Sequence, residues 1–361
     1  MKLFRLCPLL LAVVLLAGCS LFDGQYIRVT PHEMQSSKSQ EEAQTVDNYT
    51  DLRQALVDMV AAGRENMVLY VQDYRESALQ DNMEGAKTYL CGYDPVGSYA
   101  VEDLTYEIGA KGGMTAVAVA VTYRHSQSDI RSITHLDGMG TLEETVLKSL
   151  EDIDFRKVIL VPNYIPTDFS QMVQNLSQSY PQTVMECPQV TADVYGKGTT
   201  RLVELTFTYE NGRDALKQMR TQVGNVFNAA ALYVSGEGSD LQKYSQLYSF
   251  LMDRFTYTMD SSITPAYSLL RHGVGDSRAF ANVYGAMCRS AGLECMTVTG
   301  TRNGEPWTWN MICDTGRYYH LDLTRCKEDT GFCERTDDSM TGYVWDYSAF
   351  PKSVGEIVKE P

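Results

Sequence analysis

Residues 273–325 read GVGDSRAFANVYGAMCRSAGLECMTVTGTRNGEPWTWNMICDTGRYYHLDLTR, and this stretch predicts a turn, a helix and three strands. After the turn at 273–275, five apolar residues recur at the spacing of one helix face. They are Ala279, Val283, Ala286, Met287 and Ala291. Turns at 302–304 and 315–316 then separate three short strand-like segments. These segments are Leu293–Gly300, Trp307–Asp314 and Arg317–Thr324.

The same stretch resembles the core of the transglutaminase-like, papain-like superfamily. That family has Gly-x-Cys at a helix start, then a His-x-Trp-Asn strand, then a strand that ends in Asp-x-Thr. The matching residues here are Gly275, Trp309, Asn310, Asp322 and Thr324. The tail at 335–351 adds a weaker likeness to surface proteins of this class. The resemblance implies an α+β fold whose C-terminal core, residues 235–352, combines a helix with an antiparallel sheet.

The two reacting positions of the family pattern are replaced in this chain. Ser277 stands at the cysteine position and Trp307 at the histidine position, whereas Asp322 keeps the aspartate. In the family a thiolate attacks, the histidine moves the proton and the aspartate orients the imidazole. An indole only donates hydrogen bonds, and a serine hydroxyl depends on a general base. The resemblance therefore implies a catalytically silent domain, and we expect no enzyme activity.

Two of these positions also have simple structural explanations. Asp276 or Ser277 is suited to cap the predicted helix, because short polar side chains accept bonds from the first free N–H groups. Asp322 is suited to bond backbone groups or Arg325 near a strand end. Both explanations predict structural roles and no reaction.

A rewired serine hydrolase is the alternative. His320 lies two residues before Asp322, on the same face of a predicted strand, and His272 lies five residues before Ser277. Either imidazole would then serve Ser277 as a base. Sequence alone leaves this alternative open, because catalytic triads are defined by geometry.

Recognition without reaction is the other interpretation of this region. Aromatic faces beside polar groups suit a glycan or a peptide, although aromatic residues at strand spacing more often pack in a core. Trp307 is the strongest candidate, because it replaces a residue that points into the family's cleft. The candidate ligand contacts are Trp307, Trp309, Tyr318, His320 and His272.

The N-terminus has the features of a targeting segment. Lys2 and Arg5 precede the apolar run Leu9–Leu16, which is too short for a convincing membrane span. The following Leu-Ala-Gly-Cys box resembles a bacterial lipoprotein processing site, which implies a signal peptide at 1–18 and a palmitate-type lipid on Cys19. Residues 19–48 would then be a flexible tether. We expect a lipid-anchored protein on the extracytoplasmic face of a cell membrane.

Charge and composition exclude some classes of partner and cofactor. The net charge of −15 disfavours nucleic acid as an electrostatic partner. The five histidines are scattered and no Cys/His cluster has zinc spacing, so we expect no metal and no cofactor. The expected partners are membrane lipid through Cys19 and a peptide, cell-wall fragment or protein ligand.

Seven cysteines remain after Cys7 and Cys19, and disulfides are allowed outside the cytoplasm. Cys326 with Cys333 and Cys295 with Cys313 are reasonable pairs, and Cys288 competes for either. Spacing does not decide among them. Cys288 lies on the apolar side of the core helix, which favours a packed thiol over a nucleophile.

The front half predicts a duplicated α+β unit. Val158–Val161 repeats Val68–Val71 at an offset of 90 residues, and Thr208-Tyr209 repeats Thr122-Tyr123 at an offset of 86. Each unit has the predicted order helix–strand–helix–strand–strand, at 49–134 and 141–221. The apolar residues that recur along these predicted helices and strands most simply face the core. We therefore expect scaffold, spacer or partner-binding modules.

Overall fold

The structure is a computed structural model that describes residues 44–72, 76–111, 113–234, 236–258, 265–329 and 331–354. The predicted signal peptide, Cys19 and most of the tether lie outside the described residues. Helices and strands alternate in three sequential units, which confirms the mixed α+β class. In the described part of the chain, no helix has the length and apolarity that crossing a membrane requires.

The first unit is a four-stranded sheet covered by helices. Its elements are β1 (Gln44–Val46), α1 (Tyr49–Ala61), β2 (Asn66–Val71), α2 (Glu76–Gly92), α3 (Pro95–Ala100), β3 (Val101–Lys111) and β4 (Met114–Tyr123). The strand order is β1-β2-β4-β3, with β1 parallel to β2 and the other pairs antiparallel. The side chain of Asn48 accepts a bond from Asp51 N–H and begins α1.

The second unit repeats this strand order. Its elements are β5 (Thr134–His135), α5 (Leu142–Asp152), β6 (Arg156–Val161), α6 (Phe169–Ser179), β7 (Gln189–Tyr195) and β8 (Arg201–Thr208), and the short α4 (Gln127–Arg131) precedes them. The order β5-β6-β8-β7 matches the first sheet strand for strand, again with only the first pair parallel. The repeated Val-rich segments form equivalent strands, β2 and β6. Each unit also begins with a short strand that the sequence pattern did not predict.

The two front units pack directly against each other. Val158 and Leu202 of the second unit are buried in the core of the first. Arg156 donates a hydrogen bond to the Tyr99 hydroxyl at 2.5 Å, and the Lys197 N–H donates to the Tyr93 carbonyl at 2.9 Å. The two copies therefore share an interface with apolar and polar contacts.

The third unit packs helices against an antiparallel sheet. Its helices are α7 (Arg213–Tyr233), α8 (Asp240–Arg254), α9 (Pro265–His272), α10 (Ser277–Ser290) and α11 (Leu323–Asp329). Its strands are β9 (Thr256–Tyr257), β10 (Val274–Gly275), β11 (Cys295–Arg302), β12 (Glu305–Asp314), β13 (Arg317–Leu321) and β14 (Tyr343–Trp345). The sheet order is β13-β12-β11-β14, and β9 pairs with β10 separately. Residues 279–288 of α10 are all buried, so this helix is the centre of the unit.

In the third unit, one strand ends earlier than predicted, and a glycine allows two strands to approach each other closely. The predicted strand Arg317–Thr324 ends at Leu321, because the Asp322 carboxylate accepts the N–H groups of Thr324 and Arg325 and begins α11. Gly300 lets β14 approach β11: a Cβ there would lie 2.1 Å from the carbonyl oxygen of Val344. This approach brings the tail of the unit to the edge of the sheet.

Candidate functional site

Ser277 is the first residue of α10, where the family pattern places its nucleophile. Asp276 is the cap, since its carboxylate accepts a bond from Ala279 N–H at 2.8 Å. Gly275 leaves the preceding turn without a side chain, and a Cβ there would lie 2.8 Å from the Cβ of Ala279. The Ser277 side chain points inward, is 8% exposed, and its Oγ accepts a bond from Thr308 N–H at 3.4 Å.

Trp307 lies on β12, where the family pattern places its histidine. Its indole N–H donates a hydrogen bond to Asp322 Oδ2 at 2.7 Å. The ring is half-buried between two neighbours: the Arg302 guanidinium carbon is 5.0 Å from its centroid, and the Tyr257 ring centroid is 5.9 Å away. Trp307 thus makes the bond to the aspartate that an imidazole makes in the family, but it has no nitrogen that accepts a proton.

Asp322 is the most heavily bonded group of the site and is 1% exposed. Its Oδ1 accepts bonds from Thr324 N–H, the Thr324 hydroxyl and Arg325 N–H, at 3.1, 2.8 and 3.2 Å. Its Oδ2 accepts the Trp307 indole and the Tyr343 hydroxyl, the latter at 2.6 Å. Burial and the nearby Asp322 charge raise the pKa of Tyr343, so this phenol stays a neutral donor.

The space between Ser277 and Asp322 is narrow, and no point within it is wide enough for a water molecule. It is lined by Ser277, Phe280, Ala281, Thr308, Trp309, Asn310, Asp322, Leu323 and Thr324. Among the described residues, the fully buried Asn310 Oδ1 has no hydrogen-bond partner. An acyl substrate would therefore reach Ser277 only after side chains move.

His320 is fully buried, and both of its ring nitrogens are engaged. Trp309 Nε1–H donates to His320 Nδ1 at 2.9 Å, and Nε2 lies 2.9 Å from Asp337 Oδ1, so Nε2 carries the proton. Burial lowers the pKa of His320, against the opposing effect of Asp337. In the described residues, neither His320 nor His272 is a hydrogen-bond partner of Ser277 Oγ. Both ring nitrogens of His320 are thus engaged away from Ser277, and a role for His320 as a base or ligand contact stays a prediction.

The five predicted ligand contacts do not share one exposed surface. Trp309 is 1% exposed and packs edge-on against the rings of Tyr343 and Trp345. Tyr318 donates to Glu294 Oε1 at 2.9 Å and lies opposite Cys313, at the end of β12 away from Trp307. Six residues of strand span about 20 Å. The side chain of His272 is exposed at the end of α9. Of the five candidates, Trp307 alone is a half-buried aromatic at the site.

Sequence reasoning missed three residues that shape the site: Tyr257, Arg302 and Tyr343. Arg302 lies over both the Trp307 and the Tyr343 rings, at 5.0 and 5.8 Å. The signal for Tyr343 was present in the family-like tail, but no local pattern connects it with Asp322. Tyr257 comes from β9, whose two-residue pairing with β10 has no sequence signature.

The described residues bring no three or more His, Cys, Asp or Glu side chains together in a way that could hold a metal ion. All seven cysteines of the described residues are free thiols, including both pairs considered from the sequence.

Comparison with known proteins supports the domain class. Residues 227–323 match the family model described as the transglutaminase-like superfamily, so the chain contains a transglutaminase-like domain that includes Ser277, Trp307 and Asp322. Nothing matched among curated proteins.

Three solved structures resemble parts of the chain. A structure described as a TGase is 9% identical, covers 57% of this chain and 60% of its own, and has a TM-score of 0.27. A candidate cysteine protease from Cytophaga hutchinsonii is 14% identical, with 41% and 65% covered and a TM-score of 0.26. A candidate protease from Parabacteroides distasonis is 9% identical, with 71% and 39% covered and a TM-score of 0.24. The chain thus spans less than two thirds of each of these proteins, and similarity this low says nothing about its activity.

Proposed function

We propose that this chain is a lipid-anchored protein of the extracytoplasmic face of a cell membrane. Its transglutaminase-like domain binds a peptide, cell-wall fragment or protein partner and does not catalyse a reaction. The observation that carries this proposal is the bond from the Trp307 indole to Asp322 at 2.7 Å. That bond places a donor without basicity where the reaction needs a proton acceptor.

The alternative of a serine hydrolase with Ser277 as nucleophile has less support. A serine hydroxyl needs a base within hydrogen-bond reach. The hydroxyl of Ser277 instead accepts a backbone N–H, and His320 is held by Trp309 and Asp337. A fluorophosphonate probe that labels the wild-type protein, and no longer labels Ser277→Ala, would restore this alternative.

The binding part of the proposal centres on the half-buried rim around Trp307. Tyr257 and Trp307 present aromatic surface there, and Arg302 adds a cation with a side chain 20% exposed. Aromatic rings next to a charged donor suit sugar faces and peptide groups. The space between Ser277 and Asp322 is too narrow for a water molecule, so the ligand would lie on this rim.

Fluorescence titration tests the rim directly. The chain has three tryptophans, of which Trp309 and Trp345 are buried, so Trp307 is the one placed to respond to a ligand. We expect purified disaccharide-tetrapeptide wall fragments or a peptide library to cause a saturable change in emission. Trp307→Phe is expected to weaken binding by up to about tenfold, since aromatic contacts contribute about 0.5–1.5 kcal/mol.

Tyr347→Ala is the matched control, because Tyr347 is an aromatic residue that is 60% exposed in the tail. This variant is expected to bind like wild type. Equal binding by wild type and Trp307→Phe, measured by calorimetry, would refute a ligand site at Trp307. Circular dichroism of Trp307→Phe separates loss of binding from loss of fold.

The anchor is tested by replacing Cys19 with alanine. We expect the wild-type protein to incorporate labelled palmitate and to sediment with membranes, because covalent lipid supplies membrane affinity without a spanning helix. Cys19→Ala is expected to lose the label and to appear in the soluble fraction. Membrane association that persists in Cys19→Ala without label would contradict the lipid anchor and leave the binding proposal for the domain intact.

A further inference from the structure

Cys326 and Cys333 lie on two sides of one tight loop beside the candidate site. Cys326 is fully buried on α11, and Cys333 is partly exposed on the returning chain. The Cys326 thiol donates a hydrogen bond to the Cys333 carbonyl oxygen at 3.2 Å, and Cys333 packs against the buried cluster that contains Cys326. The two cysteines are therefore in direct contact in the folded protein.

Backbone bonds fix this loop at both ends. Asp322 accepts the first N–H groups of α11, as described above. At the other end, His320 and Arg335 exchange two backbone hydrogen bonds, of 2.8 and 3.0 Å, and Gly331 N–H donates to the Cys326 carbonyl at 2.7 Å. These bonds hold the two cysteines next to each other, and such closeness is the first condition for a disulfide.

The two thiols differ in reactivity. The contact with Cys326 and the nearby charge of Arg335 lower the pKa of Cys333, against burial and the charge of Asp329. The contact with Cys333 and burial raise the pKa of Cys326. The partly exposed Cys333 is therefore the thiolate that reacts first, since thiolates and not thiols are nucleophiles.

A second thiol pair provides an internal comparison. Cys288 and Cys295 lie in one buried cluster, where they are 0% and 7% exposed, and burial raises the pKa of Cys288. Thiols without solvent access are expected to be inert. Comparing the two cysteine pairs tests whether solvent access, and not closeness alone, determines reactivity.

We propose that Cys326 and Cys333 are an oxidisable pair that forms an intramolecular disulfide by exchange with a low-molecular-weight or protein disulfide. The Cys333 thiolate attacks one sulfur of the incoming disulfide and releases one thiolate. Cys326 loses its proton to solvent, attacks Cys333 Sγ and releases the second thiolate. The incoming disulfide is reduced to two thiols and the protein loses two hydrogen atoms.

The bond would fasten α11 and with it the Asp322 network. Cys326 lies one helical turn after Asp322, whose carboxylate holds the Trp307 indole and the Tyr343 hydroxyl. Oxidising compartments favour such a bond, so its presence in cells rests on the proposed extracytoplasmic location. The exchange chemistry itself does not depend on that location.

Peptide mapping of the native protein tests the pair. The reduced full-length protein is incubated with oxidised glutathione, quenched in acid, unfolded, alkylated with N-ethylmaleimide and digested with trypsin. Lys327 lies between the two cysteines, so their peptides separate unless a disulfide joins them. We expect the joined peptides, with Cys288 and Cys295 still alkylated. We also expect the melting temperature to fall by roughly 5 °C when dithiothreitol reduces the bond.

Single variants assign the order of attack. Cys326→Ser is expected to accumulate glutathione on Cys333, whereas Cys333→Ser leaves Cys326 unmodified because that thiol is buried. Wild-type protein that retains two alkylatable thiols, or a stable glutathione adduct on Cys333, after prolonged incubation overturns the proposal. If either variant does not fold, the wild-type mapping decides alone.

Discussion

Asp322→Asn is expected to lower the free energy of unfolding of the transglutaminase-like unit by about 3–5 kcal/mol, the usual effect of breaking a buried charged network. Asp322 accepts five hydrogen bonds while almost fully buried. An asparagine amide nitrogen is a donor, so one side of the network would place donors against donors. Either orientation leaves buried N–H or O–H groups of Trp307, Tyr343 or Thr324 without an acceptor, at a cost of about 1–3 kcal/mol each.

Urea unfolding followed by tryptophan fluorescence measures this change, because all three tryptophans lie in this unit. Asp346→Asn is the matched control: its carboxylate accepts bonds from Ser348 in an exposed turn. We expect that control to change stability by less than about 0.5 kcal/mol, as exposed substitutions usually do. Equal stability of wild type and Asp322→Asn would mean that the network contributes nothing and that Asp322 is kept for another reason.

Restoring the family residues at both replaced positions is expected to create a reactive thiol. In Ser277→Cys alone, the thiol is buried and, among the described residues, has no base beside it, so we expect it to react slowly. Adding Trp307→His removes ring volume and places an imidazole on Asp322, which can pair with the thiol and form the thiolate. A free thiol is a few per cent thiolate at pH 7. Full ionisation would therefore raise the iodoacetamide alkylation rate of residue 277 by roughly 20- to 30-fold.

The control is Ser277→Cys with Trp307→Phe, which opens space without supplying a base. Peptide mapping of residue 277 separates its labelling from that of the nine native cysteines. The imidazole variant should keep its rate at pH 6, whereas the phenylalanine variant should slow as the thiol protonates. Equal rates in the two variants would show that residues 277 and 307 are not the counterparts of the family pair.

Local pattern was sufficient to predict much of the transglutaminase-like unit. The apolar stripe of α10 follows directly from the spacing of side chains, and the turns after β11 and β12 follow from Asn303-Gly304 and Thr315-Gly316, all four with positive φ. The end of β13 was predicted wrongly, because a carboxylate two residues before Thr324 ends the strand and caps a helix. Sequence periodicity carries no signal for such a side-chain bond.

The surroundings of the site could not be predicted, because they depend on contacts between distant residues. Tyr343 reaches Asp322 across 21 positions, and His320 is paired with Asp337 across 17. A histidine two residues from an aspartate suggested a catalytic base, whereas in the structure His320 is buried and bonded to Trp309 and Asp337. The replacement at 307 has a clearer physical interpretation: tryptophan keeps the hydrogen bond that histidine gives to aspartate and loses the basicity.

The shared interiors of the three units have a mechanical consequence. Val158 and Leu202 lie in the core of the first unit, while Ile153 and Met185 lie in the core of the third, so the middle unit contributes to both of its neighbours' interiors. Bending the chain between units would expose these side chains to water, at about 25 cal/mol for each Å² uncovered. A force applied at either end would therefore strain all three cores together. We expect the front half and the C-terminal unit to move as one body, so the front half would fix the direction in which the C-terminal unit faces.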